Sequence, residues 1–373
     1  MKKIGITGVN GFVGQHLFNT LAQNKNIILV PFKREFFENK SKLDNFVKNC
    51  DVLVHLAGLN RSNHKEVIYN INVGLADTLI SSLKRTKATP HIIFASSTQE
   101  NLDNVYGKSK KKARLNLNDW SISNNLIFTG LVIPNVFGSF GVPFYNSFIS
   151  TFSYQLIKNE IPEIINDSEV KLIYIDELIS QIISVINNPS YNDFLLINHT
   201  HNKRVSEVLK LLKSFKYQYL EKGQIPKLEL NSFELNLFNT FRSYIPNTYF
   251  PRNYTKHSDE RGVFVEIIRA KSSGQSSFST TVTGVTRGDH FHTRKIERFA
   301  VIKGKASIKL RKINSDEIIE YILEGENPSY VDMPIWYTHS ITNIGDSELI
   351  TLFWINEPYD QKDTDTYFLK VNT

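Results

Sequence analysis

The chain has 373 residues, 41% of them apolar and 22% charged, which excludes disordered, collagenous and low-complexity architectures and suits about two or three domains. Its one cysteine, Cys50, excludes an intramolecular disulfide and a thiolate zinc cluster, and points to a reducing, cytoplasmic setting. The net charge of +7 admits nucleic acid or small anionic ligands. The cations are dispersed except in Lys108–Arg114, which reads most simply as a solvated helix face. A small anion such as a nucleotide fits that dispersal better than a duplex does.

Along the chain, Lys3–Thr7 reads as a first strand. Phe12, Val13, Leu17 and Leu21 then fall at helical spacing. Further strands are expected at Ile27–Val30, Asp51–Leu56, His91–Ala95 and Leu126–Val132, with helical stretches near 41–49, 65–87 and 107–123. Strands alternating with helices predict an α/β, doubly wound parallel sheet. Helical patterns continue at 145–159, 176–188, 205–215 and 232–241. From Gly262 the pattern is short β-rich runs, at 263–269, 299–302, 306–310, 318–323 and 349–355, which predicts an all-β second domain. Ser243–His257, with two prolines, is a plausible joint, so the domains are placed at 1–243 and 244–373. No internal repeat is evident. No run approaches the roughly 18 apolar residues of a membrane helix, and the opening lacks a secretory h-region.

Gly8, Gly11 and Gly14 follow the first strand and open the first helix, with Phe12 and Val13 between the last two. Glycines there permit a tight turn, close approach of a pyrophosphate and close packing of helix on strand, and the helix N-terminus offers free N–H groups. Lys33 and Arg34 stand after the second strand, where an NAD site usually has an acid. Cations there favour a 2′-phosphate, hence NADPH. Tyr106 and Lys110 are four apart and share one helix face. A nearby ammonium lowers a tyrosine pKa and lets it exchange a proton with a carbonyl or alcohol oxygen. Ser96-Ser97-Thr98, closing the fourth strand, offers a hydroxyl partner.

These features resemble the extended short-chain dehydrogenase/reductase family, in its nucleotide-sugar branch. The resemblance covers residues 1 to about 243 and rests on Thr7-Gly8-x-x-Gly11-x-x-Gly14, His55-Leu56-Ala57-Gly58, Asn72-Val73, Ser97-Thr98, Tyr106-x-x-x-Lys110, Pro134–Gly138 and Ile173–Glu177. It implies that Tyr106 is the general acid/base, that Lys110 binds the nicotinamide ribose and that Thr98 is the hydroxyl partner. It further implies that Leu56, Ala57 and Gly58 border the cofactor. Only eight residues separate Thr98 from Tyr106. Relatives insert a longer loop there, often carrying a dehydration acid/base pair, so its shortness favours plain ketone reduction.

In the second domain His290 and His292 stand at i and i+2, the spacing that puts two side chains on one face of a strand. Glu297 follows on the next run and His339 lies downstream. Three imidazoles and a carboxylate suit Zn²⁺, Fe²⁺, Mn²⁺ or Ni²⁺, with zinc the first choice. The spacing from Gly284 to Gly304 resembles the first motif of the cupin superfamily, which implies a jelly roll. The second motif is degraded, with Trp336 where a glycine is expected after Pro334. Asp259–Glu266 resembles a segment of cupin-type nucleotide-sugar epimerases.

Together the halves resemble the bifunctional capsular-polysaccharide enzymes of the CapF type. That resemblance implies a UDP-linked 4-keto-6-deoxy-hexosamine substrate, C3 epimerisation in the cupin, and C4 reduction by NADPH to UDP-2-acetamido-2,6-dideoxy-L-talose. It also implies a homodimer. The chemistry is coherent: a C4 ketone acidifies the C3 hydrogen, and a Lewis acid at the ketone oxygen stabilises the enolate. The competing readings are a single-activity reductase with a structural or dimerising cupin, a nucleic-acid binder using Lys108–Arg114, and a non-catalytic NADP sensor.

Overall fold

The apolar residues Ile4 and Ile6 set the first strand of the computed structural model, which describes residues 1–372. In the first unit the strands are β1 (Lys2–Thr7), β2 (Ile27–Val30), β3 (Val52–His55), β4 (His91–Ser97), β5 (Phe128–Ile133), β6 (Asn135–Phe137), β7 (Glu169–Tyr174), β8 (Asn192–Leu196) and β9 (His201–Arg204). The helices are α1 (Phe12–Ala22), α2 (Lys40–Lys48), α3 (Lys65–Thr86), α4 (Val105–Ser123), α5 (Phe148–Ile157) and α6 (Ile175–Asn187), followed by α7 (Val205–Phe215) and α8 (Phe233–Arg242). Six strands form one parallel sheet in the order β2-β1-β3-β4-β5-β8. β6, β7 and β9 make a small separate sheet.

Leu53 and Phe94 of this sheet pack on Phe46 of α2, Leu79 and Leu83 of α3, and Leu117 of α4. These side chains are buried on one face, and α1 and α6 pack together on the other. The strand order reverses beside β1, where the chain winds outward to β2 on one side and to β3 on the other. In such sheets the carboxyl ends of the two diverging strands open a crevice, and ligands bind there. The expected doubly wound α/β architecture is therefore present, and it places Gly8 and Leu56–Gly58 at that crevice.

The second unit carries β10 (Arg252–Asn253), β11 (Lys256–Asp259), β12 (Gly262–Val265), β13 (Gln275–Thr281), β14 (Thr286–Phe291), β15 (Glu297–Lys303), β16 (Lys305–Lys312), β17 (Ile318–Glu324), β18 (Ser329–Met333), β19 (Tyr337–Asn343), β20 (Leu349–Ile355) and β21 (Tyr367–Phe368). One five-stranded sheet runs β10-β18-β15-β20-β13 and the other β17-β16-β19-β14-β21, with all pairings antiparallel. Phe299, Val301 and Val331 of the first sheet meet Ile308, Leu310, Leu323 and Ile341 of the second. This is the all-β cupin (jelly-roll) arrangement expected from the sequence. The hairpin β11–β12 stands apart from both sheets.

Contacts divide the chain into Met1–Thr151 with Ile164–Glu207, and Phe152–Glu163 with the chain from Val208 onward. These ranges differ from the 1–243 and 244–373 division read from composition. The reason lies in α8, whose Phe238 packs on Phe215 and Tyr219, while Asn239 and Arg242 donate to the carbonyls of Arg294 and Met333. Helical patterning shows that a helix forms but not which core it joins. Strands β13 and β19 also escaped the sequence reading, because Ser, Thr and His interrupt their alternation, while β14 was expected only as the strand that carries His290 and His292.

A buried ion pair ties this arm to the sheets. Arg298 donates to Asp332 at 2.7 and 2.8 Å, and the Tyr219 hydroxyl donates to the same carboxylate at 2.6 Å. The guanidinium lies 3.7 Å over the ring of Tyr330. Asp332→Ala leaves Arg298 buried without its counter-charge, a loss of about 3–5 kcal/mol. Urea unfolding followed by the fluorescence of Trp336 and Trp354 checks this. Arg298→Met in the same chain is expected to restore part of the loss.

Candidate functional site

The first candidate site is a cleft of about 630 Å³ at the carboxyl ends of the parallel strands, in the range of small-molecule sites. Its floor is the turn between β1 and α1. Gly8 turns there with φ +75°, and a Cβ on Gly14 would lie 2.1 Å from the Gly8 carbonyl oxygen, so helix and strand touch backbone to backbone. Gly11 caps α1 without a side-chain bond, which leaves the first N–H groups free to face an anion. Gly8, Gly11, Phe12, Val13, Gly14, Leu56 and Gly58 border the cleft. Ala57 closes the turn from behind, its N–H meeting the Thr7 hydroxyl. Among the described lining residues Lys110 and Arg61 are cationic and none is acidic. A dinucleotide's phosphates fit this wall. Lys33 and Arg34 are exposed just past β2 and do not border the cleft.

Tyr106 and Lys110 share the cleft-facing side of α4, as their spacing predicted. The helix begins at Asn104, whose side chain accepts from Gly107 N–H at 2.7 Å. A Cβ on Gly107 would sit 1.9 Å from the Gln99 carbonyl oxygen, so only glycine lets α4 start this close to the turn after β4. Asn72 of α3 braces the same helix. It donates to the Ser109 hydroxyl at 2.8 Å and exchanges bonds of 2.7 and 3.0 Å with the backbone of Leu59.

Burial pushes the Tyr106 hydroxyl up to about 12, with Tyr145 adding to the effect. The lowering expected from Lys110 is thus overridden in the protein alone. The tyrosine is held protonated, the form a proton donor to a ketone oxygen requires. Burial likewise pulls Lys110 down to about 8, against the opposing pull of Glu100. The hydroxyls of Ser96 and Ser97 and the amide of Gln99 line this wall of the cleft, while the expected Thr98 is half-buried outside it.

Sequence reasoning missed the support beneath that wall. Glu100 is buried and accepts from Ser96 Oγ and bidentately from Arg114. The run Lys108–Arg114 is therefore not a uniformly solvated face. Lys108, Lys111 and Lys112 are exposed, but Lys110 serves the cleft and Arg114 the buried pair. Spacing of i to i+14 carries no local signal for such a pair.

The second candidate site joins His290, His292, Glu297 and His339, whose ligand atoms all lie within 4.8 Å of one another. His290 on β14 is directly opposite His339 on β19. A bulge between Gly288 and His290 bends β14, and His292 falls one residue past its end, so the flat i, i+2 picture holds only approximately. Glu297 opens β15, and its Oε2 is 3.1 Å from His292 Nε2 and 3.2 Å from His339 Nε2. Trp336, in the place where the motif expects glycine, adopts φ +63°, so the glycine's left-handed turn survives without glycine. Its N–H donates to the His292 carbonyl at 2.7 Å.

Burial lowers His290 to about 4, with His339 and His292 adding to the shift, and so leaves a neutral imidazole with a free lone pair. Glu297 is held well below the carboxylate range, because its bonds to His292 and His339 overcome burial. Burial opposes charge on His292, but Glu297 outweighs it and the pKa rises. A neutral imidazole and an ionised carboxylate are the ligating forms, and the set fits a divalent transition metal.

Residues 4–196 match the NAD dependent epimerase/dehydratase family, and 257–367 match the polysaccharide biosynthesis C-terminal domain. The chain belongs to the NAD dependent epimerase/dehydratase family, with a cupin unit joined to its nucleotide-binding unit. Over 372 residues, 99% of each chain, it is 34% identical to the UDP-2-acetamido-2,6-beta-L-arabino-hexul-4-ose reductase of Pseudomonas aeruginosa. It is also similar to the capsular polysaccharide assembling protein CapF of Staphylococcus aureus, at 34% identity, full coverage of both chains and a TM-score of 0.63. A structure of CapF with the inhibitor 3-isopropenyl-tropolone matches at 31% identity, over 99% of this chain and 100% of that one, with a TM-score of 0.59. The shared order of modules makes this chain a CapF-type enzyme.

Gly14→Ala tests the cleft floor. The added methyl collides with the Gly8 carbonyl, and NADPH affinity, read by nucleotide fluorescence, is expected to fall at least about tenfold. Metal binding by the second unit is expected to be unchanged.

Proposed function

We propose that the chain is a bifunctional UDP-sugar enzyme. The cupin unit epimerises C3 of a UDP-4-keto-6-deoxy-N-acetylhexosamine. The first unit then reduces C4, giving UDP-2-acetamido-2,6-dideoxy-L-talose for capsular polysaccharide synthesis. The observation that carries the reading is the presence, in one chain, of a dinucleotide cleft with a protonated tyrosine and a buried three-histidine, one-carboxylate cluster. The reductase activity of the Pseudomonas aeruginosa relative supports the first half. The tropolone inhibitor of CapF supports the second, because adjacent oxygens of that kind chelate divalent metals.

In the cleft, NADPH supplies the hydride to C4. Tyr106 donates its hydroxyl proton to the C4 oxygen, so the carbonyl becomes a neutral alcohol; the phenolate left on Tyr106 lies on the same helix face as the Lys110 ammonium and is reprotonated from solvent before the next turnover. Lys110 holds the nicotinamide ribose, and Ser97, which borders the cleft while the expected Thr98 does not, positions the ketone. Lys33 and Arg34 favour the 2′-phosphate of NADPH. In the cupin a divalent ion, zinc by first choice, supplies Lewis-acid chemistry at the ketone oxygen. His290, His292, Glu297 and His339 would hold it, His292 and His339 buried and the other two half-buried. The working assembly in this reading is a cytoplasmic homodimer.

The deciding experiment incubates the protein with the UDP-4-keto-6-deoxy sugar in D₂O without NADPH and follows the C3 proton by NMR. Exchange at C3 that persists in Tyr106→Phe and disappears in His290→Ala is the expected result. No exchange, with NADPH still consumed when added, would leave a one-activity reductase with a structural cupin.

The lowered pKa of Lys110 gives a second test. Its ammonium is retained below pH about 8 and lost above it. kcat/KM for NADPH is therefore expected to fall about tenfold per pH unit above that point. Lys110→Arg, charged throughout, should lack this alkaline limb.

A further inference from the structure

The ring of His292 is held by a residue far away in sequence. Its Nδ1 lies 2.5 Å from the backbone carbonyl oxygen of Asp365. A carbonyl can only accept, so Nδ1 carries a proton and is closed to a metal, which leaves Nε2 as the ligating nitrogen; without metal Nε2 donates to Glu297. That Nε2 is the atom facing Glu297. One main-chain oxygen thus selects the tautomer and the ring orientation that ligation needs.

Asp365 is itself fixed on all sides. Its carboxylate accepts the backbone N–H groups of Thr293, Arg294 and Lys295, each at 3.0 Å, and the Thr293 hydroxyl at 2.6 Å. The three N–H groups form a concave cradle for one carboxylate. Asp365 is buried, with φ +42°. Neighbouring contacts close the same seam: Arg294 pairs with Glu357 and Asp363, and the Lys295 ammonium donates to the Thr364 carbonyl at 2.8 Å. The carboxylate locks residues 293–295 to the C-terminal segment, and the carbonyl of the same residue then points at His292.

We propose that Asp365 is a positioning residue of the metal centre, acting through the tautomer and orientation of His292. This rests on the reading of the four-residue cluster as a metal site. Outer partners of ligating histidines typically contribute 10–100-fold to metal affinity.

The test uses the full chain and two readouts. Zinc affinity is measured by competition with a chromogenic chelator, and the protonation pattern of the His292 ring is read from ¹⁵N imidazole shifts in zinc-loaded and metal-free protein. Asp365→Ala is expected to weaken zinc binding 10–100-fold and to replace one tautomer by a mixture, with NADPH binding unchanged. Asp365→Asn keeps one acceptor oxygen and suits the left-handed backbone, but turns an NH2 toward backbone N–H donors, so it should recover only part of the loss. Thr293→Val removes one bond to the carboxylate and should weaken zinc several-fold, which keeps the proposal testable if Asp365→Ala fails to fold. Unchanged zinc affinity and tautomer in Asp365→Ala, or in Thr293→Val if that is the variant that folds, overturn the proposal. Equal zinc binding by wild type and His290→Ala would instead overturn the metal reading, and the tautomer readout would still decide the role of Asp365.

Discussion

Taking an ionic group out of water costs several kcal/mol unless a partner compensates, and both sites of this chain are organised around such groups. Lys110 is 5% exposed. Desolvation already draws its pKa down, and the Glu100 carboxylate pulls it back. Arg114 meets the buried Glu100 carboxylate bidentately. In the cupin unit the same logic places Glu297 between His292 and His339, and Asp332 between Arg298 and Tyr219. Each of these pairs spans two structural elements. The compensation that permits burial is therefore also what fixes the register of those elements.

This explains which parts were legible in the sequence. Gly8, Gly11 and Gly14, or Tyr106 and Lys110, act within one turn or one helix, so their spacing alone defines the geometry. His290, His292, Glu297 and His339 were legible for another reason. Few side chains ligate metals, and a cluster of them in an otherwise apolar sandwich has little else to do. Glu100 with Arg114, Arg298 with Asp332 and Asp365 with His292 were not legible. They are charged or polar residues of common type, and their partners lie 14, 34 and 73 positions away. Only the folded chain says that they meet.

The same distinction governs the fold. The parallel sheet announced itself because β1, β3, β4 and β5 are apolar on both faces. β19 did not, because it carries His339 of the candidate metal cluster and is interrupted by Ser and Thr. A strand whose inward positions are His, Ser and Thr gives up the alternation by which strands are recognised, and it does so where function requires polar atoms inside. Trp336 shows the converse. Its identity departs from the motif while its φ of +63° keeps the motif's backbone, so the degraded letter conceals a conserved shape.

The proposed order of reactions follows from the chemistry of one carbonyl. C3 is acidic only while C4 is a ketone, so inversion must precede reduction, and reduction makes it irreversible. Tyr106 fits the second role because burial holds it protonated: it can give a proton to the C4 oxygen but is a poor base toward C3. The cupin cluster is the reverse, a site with an ionised Glu297 carboxylate and a neutral His290 imidazole, suited to holding a Lewis acid beside an enolisable ketone. The first site offers a proton and the second an anionic ligand set, so the two steps call for different environments, and the two units of the chain each supply one.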